Sequence, residues 1–418
     1  MNKTKHYCPV PFNSIELWDD HTAKLCCNSG RRFEFEKDLK DFWHGPEMGY
    51  VRFKMENDIF MEDCKLCYDR EKLFNDSKRL DEIKQSGNNH LTKPLAMPTH
   101  LQINLTNVCN LKCVMCSPKY STKWNEDVDT LGKMRLNLVK QPVKKISEDV
   151  LKKTIRDFVS TRSFAEKTIE VYGGEPFLSK EFWRIIDNTP YQQLRNVRFK
   201  CNTNGTVLND AIITNLKKFK KIIINLSIDG IKDIFEYQRF PAKWEKVEKN
   251  IKLLKKYGDK FRFKFTVDIY FTLTSFSAVG LSEFLDYCNE HDWRYYLNVA
   301  DNEPIDDTWK NAKLPMTHDG GKKRLPQEVS TCLPLYNGGK GYTHPCMLPE
   351  EVKEKILNEV DGKIEGAYSK KLKSTFYDTQ GFSKELLGGF KDYCNLMKEV
   401  RGLDFLEILK KRYNYEYT

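Results

Sequence analysis

The chain between residues 100 and 300 alternates strand-like stretches with segments that repeat at helical spacing. Apolar and polar residues alternate over 101–105, whereas 221–227 is almost continuously apolar, as in a buried parallel sheet. Over 208–219, apolar residues return every three or four positions, which is typical of an amphipathic helix. Predicted strands cover 101–105, 167–172, 196–202, 221–227, 261–271 and 293–299, and predicted helices cover 147–162 and 281–291. Roughly six strand–helix units predict an α/β fold whose core is a partial (β/α)6, TIM-like barrel.

Outside this central stretch the pattern changes. Near the N-terminus, IELWDDHTAKLCCN predicts two strands joined by a turn at Asp19 and Asp20, with the second strand ending at Cys26 and Cys27. The sequence therefore divides into a small α+β module over 1–85, a linker over 86–99, the barrel core over 100–300 and a mainly helical C-terminal extension over 301–418, with helices predicted over 349–374 and 383–413.

Composition narrows the class of protein. Of 418 residues, 40% are hydrophobic and 31% are charged, as in a globular protein that is soluble in water. The N-terminus lacks the apolar core of a signal peptide, and no apolar run is long enough to span a membrane. Thirteen cysteines without a secretory signal favour a cytoplasmic location, where thiols serve as metal ligands. The net charge of +10 permits nucleic acid or an acidic peptide as partner, although a solvated lysine-rich surface is the more frequent explanation.

Three cysteines closely follow the first predicted barrel strand. Cys109, Cys113 and Cys116 have the spacing C-x3-C-x2-C, which allows three thiolates to converge on one soft metal centre. Three ligands leave one iron of a cubane cluster open for a substrate or cofactor, as an open zinc position takes water. The alternatives are a structural zinc site or scattered core cysteines, but no fourth protein ligand follows Cys116 at close range.

This loop resembles the signature of the radical S-adenosylmethionine (SAM) superfamily, which is C-x3-C-x-aromatic-C. Met115 stands where the aromatic residue is usual. The resemblance implies a [4Fe–4S] cluster held by Cys109, Cys113 and Cys116, with SAM bound at the open iron. It also places Met115 among the residues that bind the cofactor.

Further strand ends match the same superfamily, in the same order along the chain. GGEP, which begins at Gly173, resembles the GGE motif that binds the amino group of the methionine part of SAM. TNG and SIDG resemble the turns that meet the ribose and methionine parts, and Arg239 resembles the arginine that grips the carboxylate. Taken singly, each is explained equally well by a strand-end turn or an exposed arginine. The cofactor-binding residues implied by these resemblances are Gly173, Gly174, Glu175, Asn204, Ser227, Asp229 and Arg239.

A second group of cysteines lies in the N-terminal module. Cys64 and Cys67 form a C-x2-C pair, and Cys8 with one of Cys26 and Cys27 completes four available ligands. Structural zinc satisfies the same four thiolates. The order C-P-x-P-F, L-C-C, F-W-x-G and C-x2-C-Y resembles a SPASM/twitch auxiliary-cluster module placed before the core. The resemblance implies a second [4Fe–4S] cluster on Cys8, Cys26, Cys64 and Cys67, with Cys26 preferred to Cys27.

Together the resemblances predict a radical SAM enzyme that cleaves SAM reductively to a 5′-deoxyadenosyl radical and abstracts hydrogen from a substrate. Enzymes with SPASM or twitch modules often act on peptides or proteins, so the predicted substrate is a peptide or protein side chain. The expected electron donor is a flavodoxin or ferredoxin, and no membrane is expected as a partner. The alternatives are an enzyme that modifies nucleic acid or nucleotides, favoured by the net charge, and a zinc-binding interaction module without catalysis. The sequence assigns no catalytic proton donor.

Overall fold

The structure of the protein is a computed structural model. It describes residues 5–35, 38–74, 77–87, 93–131, 139–161, 163, 165–261, 264–299, 343–364, 366–377 and 389–416. The first part of the predicted C-terminal extension, residues 301–342, lies outside the described residues. Within the described part, no helix combines the length and the apolar character needed to cross a membrane.

Nine strands of the described residues form one sheet at the centre of the molecule. In chain order they are β1 (Ser14–Leu17), β2 (Thr22–Lys24), β3 (Phe33–Glu34), β4 (His100–Asn104), β5 (Lys167–Tyr172), β6 (Val197–Thr203), β7 (Lys221–Ser227), β8 (Phe265–Leu273) and β9 (Tyr295–Val299). Their order across the sheet is β3-β2-β1-β4-β5-β6-β7-β8-β9. Strands β4 to β9 pair in parallel, as expected when each strand is followed by a crossover connection. The predicted α/β fold with a core of parallel strands is confirmed.

Helices connect the parallel strands and pack on the apolar face of the sheet. In chain order they are α1 (Val10–Asn13), α2 (Leu39–His44), α3 (Pro46–Glu56), α4 (Lys65–Phe74), α5 (Lys78–Gln85), α6 (Val128–Leu131), α7 (Glu148–Ser160), α8 (Lys180–Asn188), α9 (Tyr191–Leu194), α10 (Asp210–Leu216), α11 (Lys232–Gln238), α12 (Trp244–Lys260), α13 (Leu281–Glu290), α14 (Glu350–Val360), α15 (Gly366–Tyr377), α16 (Phe390–Arg401) and α17 (Phe405–Tyr413). Helix α12 shows why these segments are helical. Val247, Ile251 and Leu254 form one buried stripe at the spacing of helical turns, and the rest of the helix is charged.

The N-terminal hairpin joins the barrel through strand pairing. Strand β1 pairs antiparallel with β2 and parallel with β4, so that Ile15 lies opposite Leu101. Both side chains are fully buried in the same hydrophobic core. The predicted linker over 86–99 packs as well, because Trp43 Nε1 donates a hydrogen bond of 2.8 Å to the carbonyl of Leu95. The N-terminal module and the barrel therefore share one sheet and one core.

The two faces of the sheet differ in chemistry. One face carries a row of fully buried apolar residues in register across five strands, namely Ile15, Leu101, Ile169, Phe199 and Ile222. The neighbouring row, Glu16, Gln102, Glu170 and Lys200, points to the opposite face, which we call the inner face. Glu170 pairs there with His100 at 2.9 Å and with Lys200 at 3.0 Å. Polar side chains on the inside of a partial barrel are suited to a polar substrate.

Both C-terminal stretches that were predicted to be helical contain helices. In the stretch 383–413, of which residues 383–388 lie outside the described residues, Gly402 takes a φ of +68° and ends α16 in the left-handed conformation that favours glycine. The stretch 349–374 contains α14 and most of α15. At the end of α16, the Arg401 guanidinium donates a hydrogen bond of 2.6 Å to the carbonyl of Lys112. The C-terminal extension thus reaches the loop that follows β4.

Candidate active site

The cysteine loop, residues 109–116, follows β4 and is held by backbone hydrogen bonds to the end of α11. The Lys112 N–H donates to the Phe240 carbonyl at 2.8 Å, and the Val114 N–H donates to the Gln238 carbonyl at 2.9 Å. Two such bonds on one short segment fix its path. The loop therefore has a defined conformation before any ligand is bound.

The three thiols of the cysteine loop lie close enough to influence one another's ionisation. Burial, followed by the neighbouring Cys113 and Glu175, raises the pKa of Cys109 to about 12. Burial also raises the pKa of Cys116, and the thiols of Cys113 and Cys109 add to the effect. Without a partner, such thiols are protonated at neutral pH, and a cationic metal centre is what stabilises three thiolates together. This donor set fits an iron–sulfur cluster with one iron left open.

Polar groups approach the same sulfur atoms. Asn204 Nδ2 lies 3.8 Å from Cys109 Sγ, and the backbone N–H of Leu111 lies 3.4 Å from it. Arg239 Nη1 lies 3.8 Å from Cys113 Sγ. Hydrogen bonds and positive charge near thiolates stabilise them and tune the potential of a cluster. The structure thus brings two predicted cofactor-binding residues, Asn204 and Arg239, to the cysteine loop.

The turn after β5 packs directly against the start of the cysteine loop. Gly173 has a φ of +120°, and a Cβ there would lie 2.5 Å from the Thr106 carbonyl oxygen. A Cβ on Gly174 would lie 2.2 Å from the Val108 carbonyl oxygen, and its N–H donates to the Thr106 carbonyl at 2.6 Å. Only glycine fits at either position. These two predicted cofactor-binding residues allow the end of β5 to touch the segment that presents Cys109.

Glu175 lies next in the turn and is completely buried. Its Oε1 accepts hydrogen bonds from the Phe177 N–H at 3.0 Å and from the Thr203 hydroxyl at 2.7 Å. Its Oε2 accepts from the Asn204 N–H at 2.8 Å, which ties the end of β5 to the end of β6. Burial raises the pKa of Glu175, while these hydrogen bonds act against the rise. The carboxylate has a structural role, and Oε2 keeps a lone pair for a further donor.

Asp229 and Arg239 form a buried ion pair behind the cysteine loop. Asp229 Oδ2 lies 2.7 Å from Arg239 Nη2, and Asp229 Oδ1 accepts a hydrogen bond of 2.7 Å from the Thr272 N–H. Both charged side chains are buried. The sequence predicted that each would contact SAM. In this structure Asp229 and Arg239 bind each other, and Arg239 Nη1 faces the Cys113 thiol.

The two other predicted cofactor-binding residues occupy different positions. Met115 is buried within the cysteine loop between Cys113 and Cys116. Ser227 is half-buried at the C-terminal end of β7. Both therefore lie on the same side of the sheet edge as the end of β4, where parallel barrels present their functional residues.

The N-terminal thiol group, which consists of Cys8, Cys26, Cys64 and Cys67, assembles from three separate segments. Burial and then Cys26 raise the pKa of Cys8, to which Cys64 and Cys67 add. Burial, then Cys26 and Cys67, raise the pKa of Cys64 to about 12. Asn28 Nδ2 lies 3.7 Å from Cys67 Sγ. The four thiols interact as one group, which fits the four ligands of a closed cluster.

Cys26 and the adjacent Cys27 both act on Lys78 but otherwise act on different groups. The thiols that raise the pKa of Cys8 and of Cys64 include Cys26. The Cys27 thiol instead acts on Tyr172, whose pKa is raised first by burial and by Glu16. This arrangement supports the preference for Cys26.

Neither group of thiols is drawn tightly around a single point. Across the described ranges, no three His, Cys, Asp or Glu side chains are close enough together to share one metal ion. In a cluster each thiolate binds a different iron, whereas a zinc ion gathers its ligands at about 2.3 Å.

Sequence reasoning missed the charged groups of the inner face and of the C-terminal helices. Asp268 lies within β8 and forms an ion pair of 2.7 Å with Arg294. Arg401 packs on the Trp124 ring, with its guanidinium carbon 5.0 Å from the ring centroid. Alternation of polar residues in the strands was the available signal for Asp268. No local signal connects Arg401 with a loop that lies so far away in the chain.

Comparison with known proteins agrees with the geometry. Residues 103–289 match the family model of the Radical SAM superfamily. The matched region includes the cysteine loop, the turn at Gly173 and the ion pair of Asp229 with Arg239. The family predicted from the sequence is confirmed.

Individual relatives are similar over part of the chain. The probable GTP 3',8-cyclase of Methanococcus vannielii is 24% identical over 219 residues, which cover 52% of this chain and 63% of that protein. The antilisterial bacteriocin subtilosin biosynthesis protein AlbA of Bacillus subtilis is 26% identical over 181 residues, which cover 42% of this chain and 34% of that protein. The crystal structure of Streptococcus suis SuiB bound to S-adenosylmethionine aligns over 88% of this chain and 74% of that chain, with 13% identity and a TM-score of 0.36. The chain thus spans less than two thirds of the length of each of the two curated relatives, the GTP 3',8-cyclase and AlbA.

Proposed function

We propose that this radical SAM enzyme cleaves SAM reductively and uses the 5′-deoxyadenosyl radical to abstract hydrogen from a peptide or protein side chain. One observation carries the proposal. The three thiols of the cysteine loop lie beside Asn204, Arg239 and the turn at Gly173, at the C-terminal ends of parallel strands. Barrels of this kind carry out their chemistry at that edge.

The chain's own residues have separate tasks in this proposal. A [4Fe–4S] cluster bound to the cysteine loop supplies the electron that cleaves SAM and an open iron for its methionine group. Glu175 offers the free lone pair of Oε2 to the SAM ammonium group. Asn204 and Arg239 stabilise the thiolates of Cys109 and Cys113. Burial of these groups limits the access of water to a reactive radical.

The N-terminal thiol group is proposed to hold a second [4Fe–4S] cluster. Four protein thiolates leave no iron open, so this cluster transfers electrons and does not bind SAM. The parallel pairing of β1 with β4 connects the two cysteine-bearing regions through one sheet. An external flavodoxin or ferredoxin is proposed to supply the reducing electron.

Two relatives favour different substrate classes. The name of AlbA, a subtilosin biosynthesis protein, supports a peptide substrate, as does the likeness of the N-terminal module to auxiliary-cluster modules of peptide-modifying enzymes. The GTP 3',8-cyclases favour a nucleotide substrate instead. We give priority to the peptide because the N-terminal module supplies a second, separate reason for it.

Anaerobic turnover tests the proposal. Reconstituted protein, SAM and dithionite are combined with a pool of synthetic peptides or with a pool of nucleoside triphosphates, and 5′-deoxyadenosine is measured by mass spectrometry. We expect 5′-deoxyadenosine in all samples and an increase with peptides only. Its absence from every sample would refute radical SAM activity, and an increase with nucleotides only would replace the peptide by the alternative substrate class.

A further inference from the structure

A cavity of about 280 Å³, counted with its open mouth, lies where the N-terminal hairpin meets the barrel. We call it the junction pocket, and its walls include Asp19, Arg32, Asn104, Lys119 and Lys144. None of the cofactor-binding residues predicted from the sequence lines it. The junction pocket is therefore separate from the site described above.

The junction pocket nevertheless borders that site. Its wall residue Asn104 is one of the groups against which Gly173 packs, since a Cβ on Gly173 would lie 2.6 Å from Asn104 Oδ1. Tyr120, another wall residue, lies near Cys116. Burial makes the largest contribution to the raised pKa of Tyr120, and the Cys116 thiol makes the second. A group bound in the pocket would thus lie beside the proposed SAM site, where a substrate is needed.

Two lysines of the junction pocket have no counter-ion. Arg32 is paired with Asp20 at 2.7 Å, but neither Lys119 nor Lys144 forms an ion pair with any residue that the structure describes. Burial, and then the positive charges of Arg32 and Lys144, lower the pKa of Lys119. The pocket walls thus carry three cations against two carboxylates, Asp19 and Asp20, and an anionic group would balance the remaining positive charge.

We propose that the junction pocket binds an acidic residue of the substrate peptide, with its carboxylate between Lys119 and Lys144. The inference rests on the peptide substrate proposed above and specifies that this peptide carries an acidic residue. It concerns binding only and requires no additional reaction step.

Asp19 makes binding in this pocket dependent on pH. Burial, and then the adjacent Asp20, raise the pKa of Asp19 to about 6, although Lys144 and Arg32 act against the rise. Besides Asp19, Asp20, Arg32 and Lys144, the pocket wall has one further charged residue among those described, Lys119, which follows the cysteine loop. Below about pH 6, Asp19 is neutral and no longer repels a carboxylate. Binding of an acidic peptide therefore strengthens as the pH falls from about 7.5 to about 5.5.

A competition experiment on the reconstituted holoenzyme with SAM tests the proposal. The probes are acetylated hexapeptide pools that are randomised except for a central Glu or a central Gln, and retained peptides are quantified by mass spectrometry. The variant carries Lys119→Gln and Lys144→Gln. The control carries Lys123→Gln and Lys145→Gln, which changes the net charge equally on the same two segments, where these lysines pair outside the pocket with Glu126 and Glu181.

We expect the wild type and the control to retain Glu peptides about tenfold over Gln peptides, as the loss of one charge-assisted partner would predict. The variant should show no such preference. Equal retention of both pools by the wild type, or an undiminished preference in the variant, would overturn the inference. Formation of 5′-deoxyadenosine by the same preparations shows separately whether the proposed radical activity stands.

A second variant tests the role of Asp19. Asp19→Asn should retain more Glu peptide than the wild type at about pH 7.5, because it removes a negative charge from the wall. It should also abolish the increase in retention that the wild type shows towards about pH 5.5. An unchanged pH profile in Asp19→Asn would remove Asp19 from the proposed site.

Discussion

The cysteine loop and the N-terminal thiol group bring thiols together in opposite ways. The cysteine loop presents three thiols within residues 109–116, next to the guanidinium of Arg239 and the amide of Asn204. The N-terminal thiol group draws four thiols from the start of α1, the end of the hairpin and the start of α4. Two cations act there, Lys78 through its charge on Cys26 and Arg79 through its interaction with Cys8.

This difference separates two kinds of site. A loop with three thiols and nearby polar side chains leaves one metal position for a cofactor and provides groups that can bind it. Four thiols from distant segments close the coordination of a cluster and also connect the segments to one another. The first arrangement suits catalysis, and the second suits electron transfer and local stability.

Removing the thiols of the cysteine loop should have the largest effect. The combined change of Cys109, Cys113 and Cys116 to alanine should abolish formation of 5′-deoxyadenosine, because no ligand remains for the core cluster. The N-terminal thiol group should still hold about four irons per chain after anaerobic reconstitution, the content of one [4Fe–4S] cluster. Undiminished cleavage of SAM by this variant would contradict the assignment of the core cluster. A variant that keeps no iron and binds one zinc would contradict the auxiliary cluster.

Single changes at neighbouring cysteines test the N-terminal thiol group. Cys26→Ala should lose about four irons per chain, while Cys27→Ala should keep them, because Cys26 is among the thiols that raise the pKa of Cys8 and of Cys64. The measurement is an iron count on each reconstituted variant, with the wild type as reference. The reverse result would exchange the roles of the two cysteines without removing the cluster.

The buried ion pair behind the cysteine loop should make a large contribution to stability. Arg239→Ala leaves the carboxylate of Asp229 buried without its cation, and we expect a loss of about 3–5 kcal/mol in the free energy of unfolding. Urea unfolding measures it. Arg184→Ala, which breaks an exposed pair with Glu148, should cost at most about 1 kcal/mol. Equal losses in both variants would show that the Arg239 pair has no special role.

Glu175 should show the smallest of these effects. Glu175→Ala removes a charge-assisted partner of about 1.5–3 kcal/mol and should weaken SAM binding roughly tenfold or more. Equilibrium titration of the reconstituted variant measures the affinity, with an iron count to verify that the core cluster is intact. Glu181→Ala is the matched control, because this half-buried carboxylate pairs with Lys145 and not with the cysteine loop. If SAM binds Glu175→Ala as tightly as the wild type, the carboxylate acts only on the backbone groups that it already contacts.

Much of the architecture was predictable from local pattern. Strands β5 and β7 have the predicted bounds, Lys167–Tyr172 and Lys221–Ser227, because alternation or continuity of apolar residues reflects which faces of a strand are buried. The helical stretch predicted over 383–413 contains two helices, and the break between them at Gly402 was not predicted because a backbone conformation is not visible in a pattern of polarity. The three candidate ligands of the core cluster were equally local, since spacing in a loop determines which thiols can meet.

By itself, the sequence determined the parallel strands, the turns that end them and the three thiols of the cysteine loop. These features depend on residues that are close together in the chain. Only the tertiary structure decided that β1 extends the barrel sheet beside β4, that Asp229 and Arg239 pair with each other, and that Lys119 and Lys144 meet at the junction pocket. Each of these depends on contacts between distant segments, which form when the apolar faces of those segments are buried together. The periodicity of apolar residues indicates that one face of a segment is buried, but it does not indicate which other segment packs against that face.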